Sequence, residues 1–187
     1  MLNAAVIGLG WWGKHIISCL KDSDRINISM AMDISSNEGK DFASQSGLKF
    51  TDKFDEVLKS KDIDAVIIVT PHSLHEEQVI KAADAGKQIF CEKPFSLTSD
   101  SAKRMLSACQ KHNLVVGIGH ERRFEYGLIE MKKMVDEGEI GKLLHMEFNA
   151  SYNLFAGSPA SGCRQDPKQA PAGTMTALGI HQTDYIQ

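Results

Sequence analysis

The sequence lacks several features, and each absence removes a class of function. No apolar run approaches the length of a membrane-spanning helix. The first residues lack the basic, apolar and small-residue regions of a signal peptide, and residues 2–7 read better as a first strand. Basic residues form no stripe: the net charge is −3 over 187 residues with both signs interspersed, which argues against a nucleic-acid partner. The four cysteines, Cys19, Cys91, Cys109 and Cys163, show no CxxC spacing. That pattern predicts reduced thiols in a cytoplasmic protein and no zinc or other metal site. No internal repeat is visible. What remains, 42% apolar and 24% charged, is ordinary globular composition, at a length that suits one full domain and part of another.

The first half alternates strand-like and helix-like segments. Leu2–Ile7 is a short apolar run that meets Gly8-Leu9-Gly10-Trp11-Trp12-Gly13 and then a helical pattern over His15–Leu20. A GxGxxG between a strand and a helix has specific physical uses. Gly8 permits a tight turn, Gly10 lets the backbone approach a pyrophosphate, and Gly13 lets helix and strand pack closely. The helix N-terminus then offers N–H groups and a positive dipole end to phosphates. Alone the motif is weak, because glycine-rich turns are common. The strand Asn27–Met32 ends in Asp33, 20 residues after Gly13, where an acid can bind a ribose 2′-hydroxyl and repel a 2′-phosphate. No Arg or Lys follows immediately, so NAD is favoured over NADP, although Lys40 remains a cation able to meet a phosphate. A capping or turn role is the plain alternative for Asp33.

Asn37–Ser46 and Asp52–Lys59 read as helices and Lys49-Phe50 as a short strand. Ala65–Val69 is continuously apolar, as strands buried on both faces of a parallel sheet are. It runs into Thr70-Pro71-His72-Ser73-Leu74-His75. Ligands bind at the carboxyl ends of such strands, so Thr70 and Pro71 are candidates for the pyrophosphate side and His75 for the same cofactor site. A histidine opening a helix also occurs without function. Glu76–Ala85 is the next helix, and Gly86 suits its C′ position. Gln88–Cys91 is a strand whose exit is Glu92-Lys93-Pro94. A lysine there is either an ordinary solvated strand-end residue or a functional one. A helix over Ser99–His112, capped by Thr98 or Ser99, and a strand over Leu114–Ile118 complete the pattern. The fold class predicted for residues 1–120 is α/β, a doubly wound parallel sheet.

From residue 121 the character changes. Tyr126–Val135 is an amphipathic helix. Leu143–Tyr152 alternates in part and is predicted as a half-buried strand. Residues 156–173 are rich in Gly, Pro, Ser and Ala, predicting a long loop, and Thr174–Ile186 looks helical, with His181 and Asp184 at i and i+3. Residues 121–187 are therefore expected to begin a second, α+β domain. One strand makes no stable sheet, so the chain is expected to be part of a longer one, with strands borrowed from a partner as the other option.

GLGWWG at 8–13, Asp33, VTPHSLH at 69–75, AGKQIFCEKPFSLT at 85–98, RRF at 122–124, GEIGKL at 138–143 and LGIHQTD at 178–184 cover nearly the whole chain in order. In this combination the sequence resembles the N-terminal part of the glucose–fructose oxidoreductase/inositol dehydrogenase (Gfo/Idh/MocA) family. The resemblance implies a Rossmann domain binding NAD through Gly8, Gly10, Trp11, Trp12, Gly13, Asp33, Thr70, Pro71, His75, Glu92 and Lys93. It implies an α+β domain whose open sheet carries the substrate site and a homo-oligomer interface. It maps the catalytic lysine onto Lys93, between nicotinamide and the reacting carbon, and the catalytic histidine onto His181. Glu92 is implied to contact the nicotinamide ribose, and a cis peptide is implied before Pro94. Candidate substrate residues are Lys93, Arg123, Arg164, His181 and Asp184; Arg164 stands where relatives carry a Trp-Arg pair, with Cys163 at the Trp position. The family's Asp four residues before the histidine is Ala177 here. Asp184, one helical turn on, is the candidate substitute.

The leading function is hydride transfer between NAD and a secondary alcohol or ketone of a sugar, inositol or related polyol. The chemistry needs a base for the hydroxyl proton, for which an imidazole suits, and a cation to stabilise developing oxyanion charge, for which Lys93 suits. The alternatives are a dinucleotide-binding sensor or scaffold without turnover, and an enzyme that uses bound NAD transiently for epimerisation or glycoside cleavage.

Overall fold

The computed structural model describes residues 1–34, 37–151 and 166–187. The chain divides into two compact units, Met1–Gly119 and His120–Gln187. In the first unit, six strands form one sheet: β1 (Leu2–Ile7), β2 (Ile26–Met32), β3 (Lys49–Thr51), β4 (Ala65–Ile68), β5 (Gln88–Cys91) and β6 (Val116–Ile118). Their order is β3-β2-β1-β4-β5-β6, and every pairing is parallel. Between them run α1 (Trp11–Leu20), α2 (Asn37–Gln45), α3 (Phe54–Lys59), α4 (His75–Asp84) and α5 (Ser99–Lys111). This is the Rossmann order, in which the connections reverse direction between β1 and β4 and leave a crevice at their carboxyl ends.

The apolar runs explain the layering. All four residues of β4 and the last four of β1 are buried. Both faces of the sheet are therefore covered, with Ile7, Val66 and Ile68 in one cluster and Val6, Ile17 and Ile67 in the other. Each such aliphatic side chain contributes roughly 1.5–3 kcal/mol on burial. The N-cap of α5 is Thr98, whose hydroxyl accepts the Ser101 N–H at 3.2 Å. The last strand begins at Val116 rather than Leu114. The Val115 N–H donates to the Gln88 side-chain oxygen at 2.8 Å instead of extending the ladder.

Two polar side chains hold this core together from inside. Lys87 is 8% exposed, and its Nζ donates to the carbonyls of Ser60 and Ile63, both at 2.7 Å. Its ammonium thereby ties the C-cap of α3 at Ser60 to the stretch before β4 at Ile63. Burial lowers the Lys87 pKa. His75 is fully buried; Nδ1 lies 3.0 Å from the Pro94 carbonyl and Nε2 3.0 Å from the Thr70 carbonyl. The sequence expectation placed His75 at the cofactor site; in the fold its ring contacts the backbone of both strand exits. Its ring is turned inward and braces the exit of β4 against the exit of β5.

The second unit contains a 3-10 turn at Glu121–Phe124, α6 (Tyr126–Asp136), a π-helical turn at Met175–Gly179 and α7 (Ile180–Tyr185). The strand expected over Leu143–Tyr152 is not formed at 143–151, and Tyr152 lies outside the described residues. Alternation alone cannot make a strand without a partner to accept its backbone bonds, and no other strand occurs among the described residues of this unit. The helix expected over Thr174–Ile186 begins as a π turn, with the Ile180 N–H reaching the Met175 carbonyl five residues back. The wider turn lets the Met175 side chain fold over Gly179, where a Cβ would stand 2.5 Å from its sulfur. Among the described residues no helix is long and apolar enough to cross a membrane.

Replacing Lys87 with Met leaves two carbonyls without their charged donor, so the variant should lose about 2 kcal/mol of stability by urea denaturation. His75 gives a pH test. Burial holds its pKa below that of the unfolded chain, against the two carbonyl contacts that raise it. Below about pH 6.5 the unfolded chain therefore binds a proton that the native ring refuses, and stability falls with pH down to the native pKa. Urea midpoints at pH 7.5 and 5.5 should separate more for the wild type than for His75→Gln.

Candidate functional site

The glycine turn is built for close approach. Gly8 has φ +101°, and its carbonyl oxygen occupies the place where a Cβ on Gly13 would stand. Any side chain at 13 would push α1 off β1. Gly10 is extended at the N-cap of α1, and a Cβ there would meet nothing within 4 Å. No side chain caps α1 and no acid occupies its first turn. The positive end of this ten-residue helix therefore faces no competing protein anion within its own first turn. Open space above the turn, the forced close packing beneath it and an uncapped helix start fit a pyrophosphate. Asp33 stands at the end of β2 and accepts the Leu9 N–H through Oδ2 at 2.6 Å, which ties the acid to the same turn. Ser35 and Ser36 lie outside the described residues.

The other side of the crevice is made by the exits of β4 and β5. Thr70 donates its hydroxyl to Gln78 Oε1 at 2.5 Å, and Pro71 is exposed. Glu92 is 7% exposed. Its Oε1 accepts the Trp12 indole N–H at 2.6 Å, and its Oε2 accepts the Lys93 backbone N–H at 3.1 Å. Lys93 is half-buried, and the Lys93–Pro94 peptide is cis. Trp12 thus carries a contact from the glycine turn to the Glu-Lys-Pro corner, while Trp11 is 77% exposed. Burial pushes the neighbouring Cys91 thiol up, so this sulfur packs rather than reacts.

The second unit holds its own polar cluster. Both Asp184 oxygens accept from Arg123, at 2.6 Å from Nε and 2.6 Å from Nη2. The Arg123 hydrogen bonds lower the Asp184 pKa against the opposing effect of burial, and the His120 charge lowers it further. His120 Nδ1 is 3.7 Å from Asp184 Oδ2, and its ring stands edge-on to that of His181 with centroids 5.9 Å apart. His181 is 3% exposed, with Nε2 3.9 Å from Glu121 Oε1. The acid proposed to replace the one missing at Ala177 is therefore clamped by an arginine, and Glu121 is the carboxylate set against the His181 ring.

Several sequence candidates are thus brought together. Gly8, Gly10, Trp12, Gly13, Asp33, Glu92 and Lys93 gather at one end of the sheet, and Arg123, His181 and Asp184 cluster within the second unit. His75 lies behind the first site, and Arg164 and Cys163 fall outside the described residues. Sequence reasoning missed His120 and Glu121, although both follow the last strand and immediately precede the quoted RRF. It also missed Gly119, where a Cβ would stand 2.6 Å from Glu92 Oε1.

Comparison with known proteins agrees with this architecture. Residues 2–120 match the model of the oxidoreductase family with an NAD-binding Rossmann fold, and residues 128–187 match the GFO/IDH/MocA C-terminal domain. The chain is 34% identical over 149 residues to scyllo-inositol 2-dehydrogenase (NAD(+)) of Bacillus subtilis, covering 77% of this chain and 43% of that protein. It is 33% identical over 141 residues to 2,7-anhydro-N-acetylneuraminate hydratase of Mediterraneibacter gnavus, covering 75% and 37%. The crystal structure of scyllo-inositol dehydrogenase from Lactobacillus casei with bound NAD(H) and scyllo-inositol superposes with TM-score 0.71 at 29% identity, covering 76% of this chain and 43% of that one. The chain spans less than half the length of each of these three proteins. On the match of its first 120 residues and of the domain that follows them, the chain belongs to the Gfo/Idh/MocA oxidoreductase family.

Proposed function

We propose that the protein is an NAD-dependent oxidoreductase that interconverts a secondary alcohol and a ketone on a sugar, inositol or related polyol. The observation that supports it most is the corner at the end of β5. There a half-buried lysine follows a buried carboxylate that is hydrogen-bonded to the glycine turn itself. When bound, NAD supplies the acceptor and donor of hydride. Gly8, Gly10 and Gly13 leave backbone and space for its phosphates, Asp33 is the acid for the adenosine ribose, and Glu92 belongs to the nicotinamide side. Asp33 at the end of β2, an acid that suits a ribose 2′-hydroxyl and repels a 2′-phosphate, supports NAD over NADP.

The ammonium of Lys93 hydrogen-bonds the reacting oxygen and stabilises its negative charge. His181 takes the hydroxyl proton, and Glu121 favours the imidazolium that results. Inositol dehydrogenases among the relatives support the polyol class. The reading also makes the protein a cytoplasmic homo-oligomer; the thiols of Cys19, Cys91 and Cys109, all free, support a reducing compartment. A second reading has a specific support. One relative carries a hydratase name, and here Ala177 replaces the family acid. In that reading hydride leaves and returns within one turnover, with no net NADH.

Fluorescence titration should show NADH binding at least tenfold tighter than NADPH, and Asp33→Ala should bring the two within about threefold, a shift of order 1 kcal/mol. Unchanged discrimination in that variant would remove Asp33 from the ribose. With a panel of inositols and aldoses, the wild type should release NADH continuously, and Lys93→Met should cut turnover by about 10²–10³-fold, the usual cost of losing one donor to a developing oxyanion. Substrate consumed without any accumulation of NADH would establish the second reading in place of the first.

A further inference from the structure

Trp12 lies on the first turn of α1, yet its indole N–H is spent 80 residues away in sequence, on Glu92 Oε1 at 2.6 Å. The ring has little freedom to leave. It stacks on Trp11 with centroids 5.4 Å apart and on His15 at 5.1 Å, so the aromatic column along the start of α1 sets the direction of the N–H. The carboxylate it meets is equally confined. Its other oxygen accepts the Lys93 backbone N–H at 3.1 Å, and Gly119 presses from the third side, where an added Cβ would sit 2.6–2.9 Å from both carboxylate oxygens. A buried carboxylate is costly unless its lone pairs are matched, and an indole N–H is a donor only, suited to an anion and to nothing else at that place. Phenylalanine would fill the same space and pack the same column. The donor, not the bulk, is what the tryptophan adds.

We propose that Trp12 is a positioning residue: its indole N–H, with Gly119 opposite, fixes the Glu92 carboxylate and through it the backbone at Lys93, so the phosphate-binding turn sets the geometry of the nicotinamide side. The proposal rests on the cofactor reading given above and extends it. Loss of the indole N–H removes the 2.6 Å bond to Oε1 and lets the carboxylate rotate about its own side-chain bonds, away from the Lys93 amide. Charge-assisted hydrogen bonds of this length are the strong ones, and losing one typically changes an equilibrium by about tenfold or more. The loss should fall on the part of the cofactor that Glu92 and Lys93 face. The pyrophosphate and adenosine half, held by α1 and Asp33, should not feel it.

The test compares NADH with ADP, which carries the adenosine and pyrophosphate but neither the second ribose nor the nicotinamide. In the wild type NADH should bind more tightly than ADP. Trp12→Phe should weaken NADH about tenfold while ADP stays within about twofold. Gly119→Ala, which displaces the same carboxylate from the other side, should reproduce the change. Lys87→Met, which loosens the same sheet without touching Glu92, should leave the ratio of the two affinities unaltered. In a Glu92→Gln background, Trp12→Phe should add little. The chain has two tryptophans, so a ¹⁵N-indole spectrum carries two side-chain N–H signals. One should exchange slowly with solvent in the wild type and lose that protection in Glu92→Gln, a readout that stands even if Trp12→Phe does not fold. Equal weakening of ADP and NADH in Trp12→Phe and Gly119→Ala, or no protected indole in the wild type, would overturn the proposal and leave Trp12 a packing residue. Wild-type protein that binds ADP as tightly as NADH would instead remove the nicotinamide-side reading, and the role given to Trp12 with it.

Discussion

The first unit depends on the contact between α1 and β1 at Gly13 and Gly8. The Gly8 carbonyl takes the space of a side chain on Gly13, so the helix starts against the strand end with no layer of atoms between. That closeness has two consequences. It aims an uncapped helix N-terminus at the carboxyl edge of the sheet, where the chain leaves the neighbouring strands β1 and β4 in opposite directions. It also carries Trp12, one residue before Gly13, to within hydrogen-bond reach of the end of β5. A helix displaced outward by a Cβ would lose both. The glycine spacing is therefore as much a statement about the Glu92–Lys93 corner as about the turn in which it is written.

The parallel sheet was legible because burial on both faces leaves no polar alternation. Gln88–Cys91 and Leu2–Ile7 were read with the bounds that the structure has, and Ala65–Val69 runs one residue past the end of β4 at Ile68. Local chemistry was legible too: the cap was narrowed to Thr98 or Ser99, and the structure has Thr98. What failed was anything that depends on a distant partner. The alternation over Leu143–Tyr152 has the right period, but a strand is a property of a pair, and the described residues of that unit supply no second strand. The orientation of His75 was illegible for a related reason. Its position after a strand end suggested a ligand, and its two carbonyl partners, one of them 19 residues on, turn it inward. Composition cannot report which way a histidine ring faces.

The site was legible as a set of residues and illegible as a set of bonds. Glycines, Asp33 and the Glu-Lys-Pro exit announce themselves by spacing, because a turn and a strand end are local. The bond from Trp12 to Glu92 crosses from one βα turn to another, and no spacing rule connects them. Gly119 is the same case: a glycine at the close of an apolar strand reads as a stop, and its reason is a carboxylate on the neighbouring strand's exit. In the second unit, Asp184 and His181 sit at i and i+3, so helical spacing makes them neighbours. The bidentate arginine decides otherwise, since a planar guanidinium matches both oxygens of one carboxylate at once and leaves a weaker, longer contact for any imidazole.

That clamp bears on how an imidazole can work where the family acid is absent. An acid held by Arg123 has its charge partly answered before any histidine protonates, so it stabilises an imidazolium less than an unclamped carboxylate would. The cluster compensates in arrangement. His120 lies near both Asp184 and the His181 ring, and Glu121, adjacent in sequence, stands 3.9 Å from His181 Nε2. Glu121 is 44% exposed at its side chain, so solvent screens its charge. Its effect on His181 is then modest at the surface and grows when water is excluded. In the reading proposed for His181, an acceptor set this way strengthens as its surroundings dry, whereas a buried acid at position 177 would strengthen it without that drying.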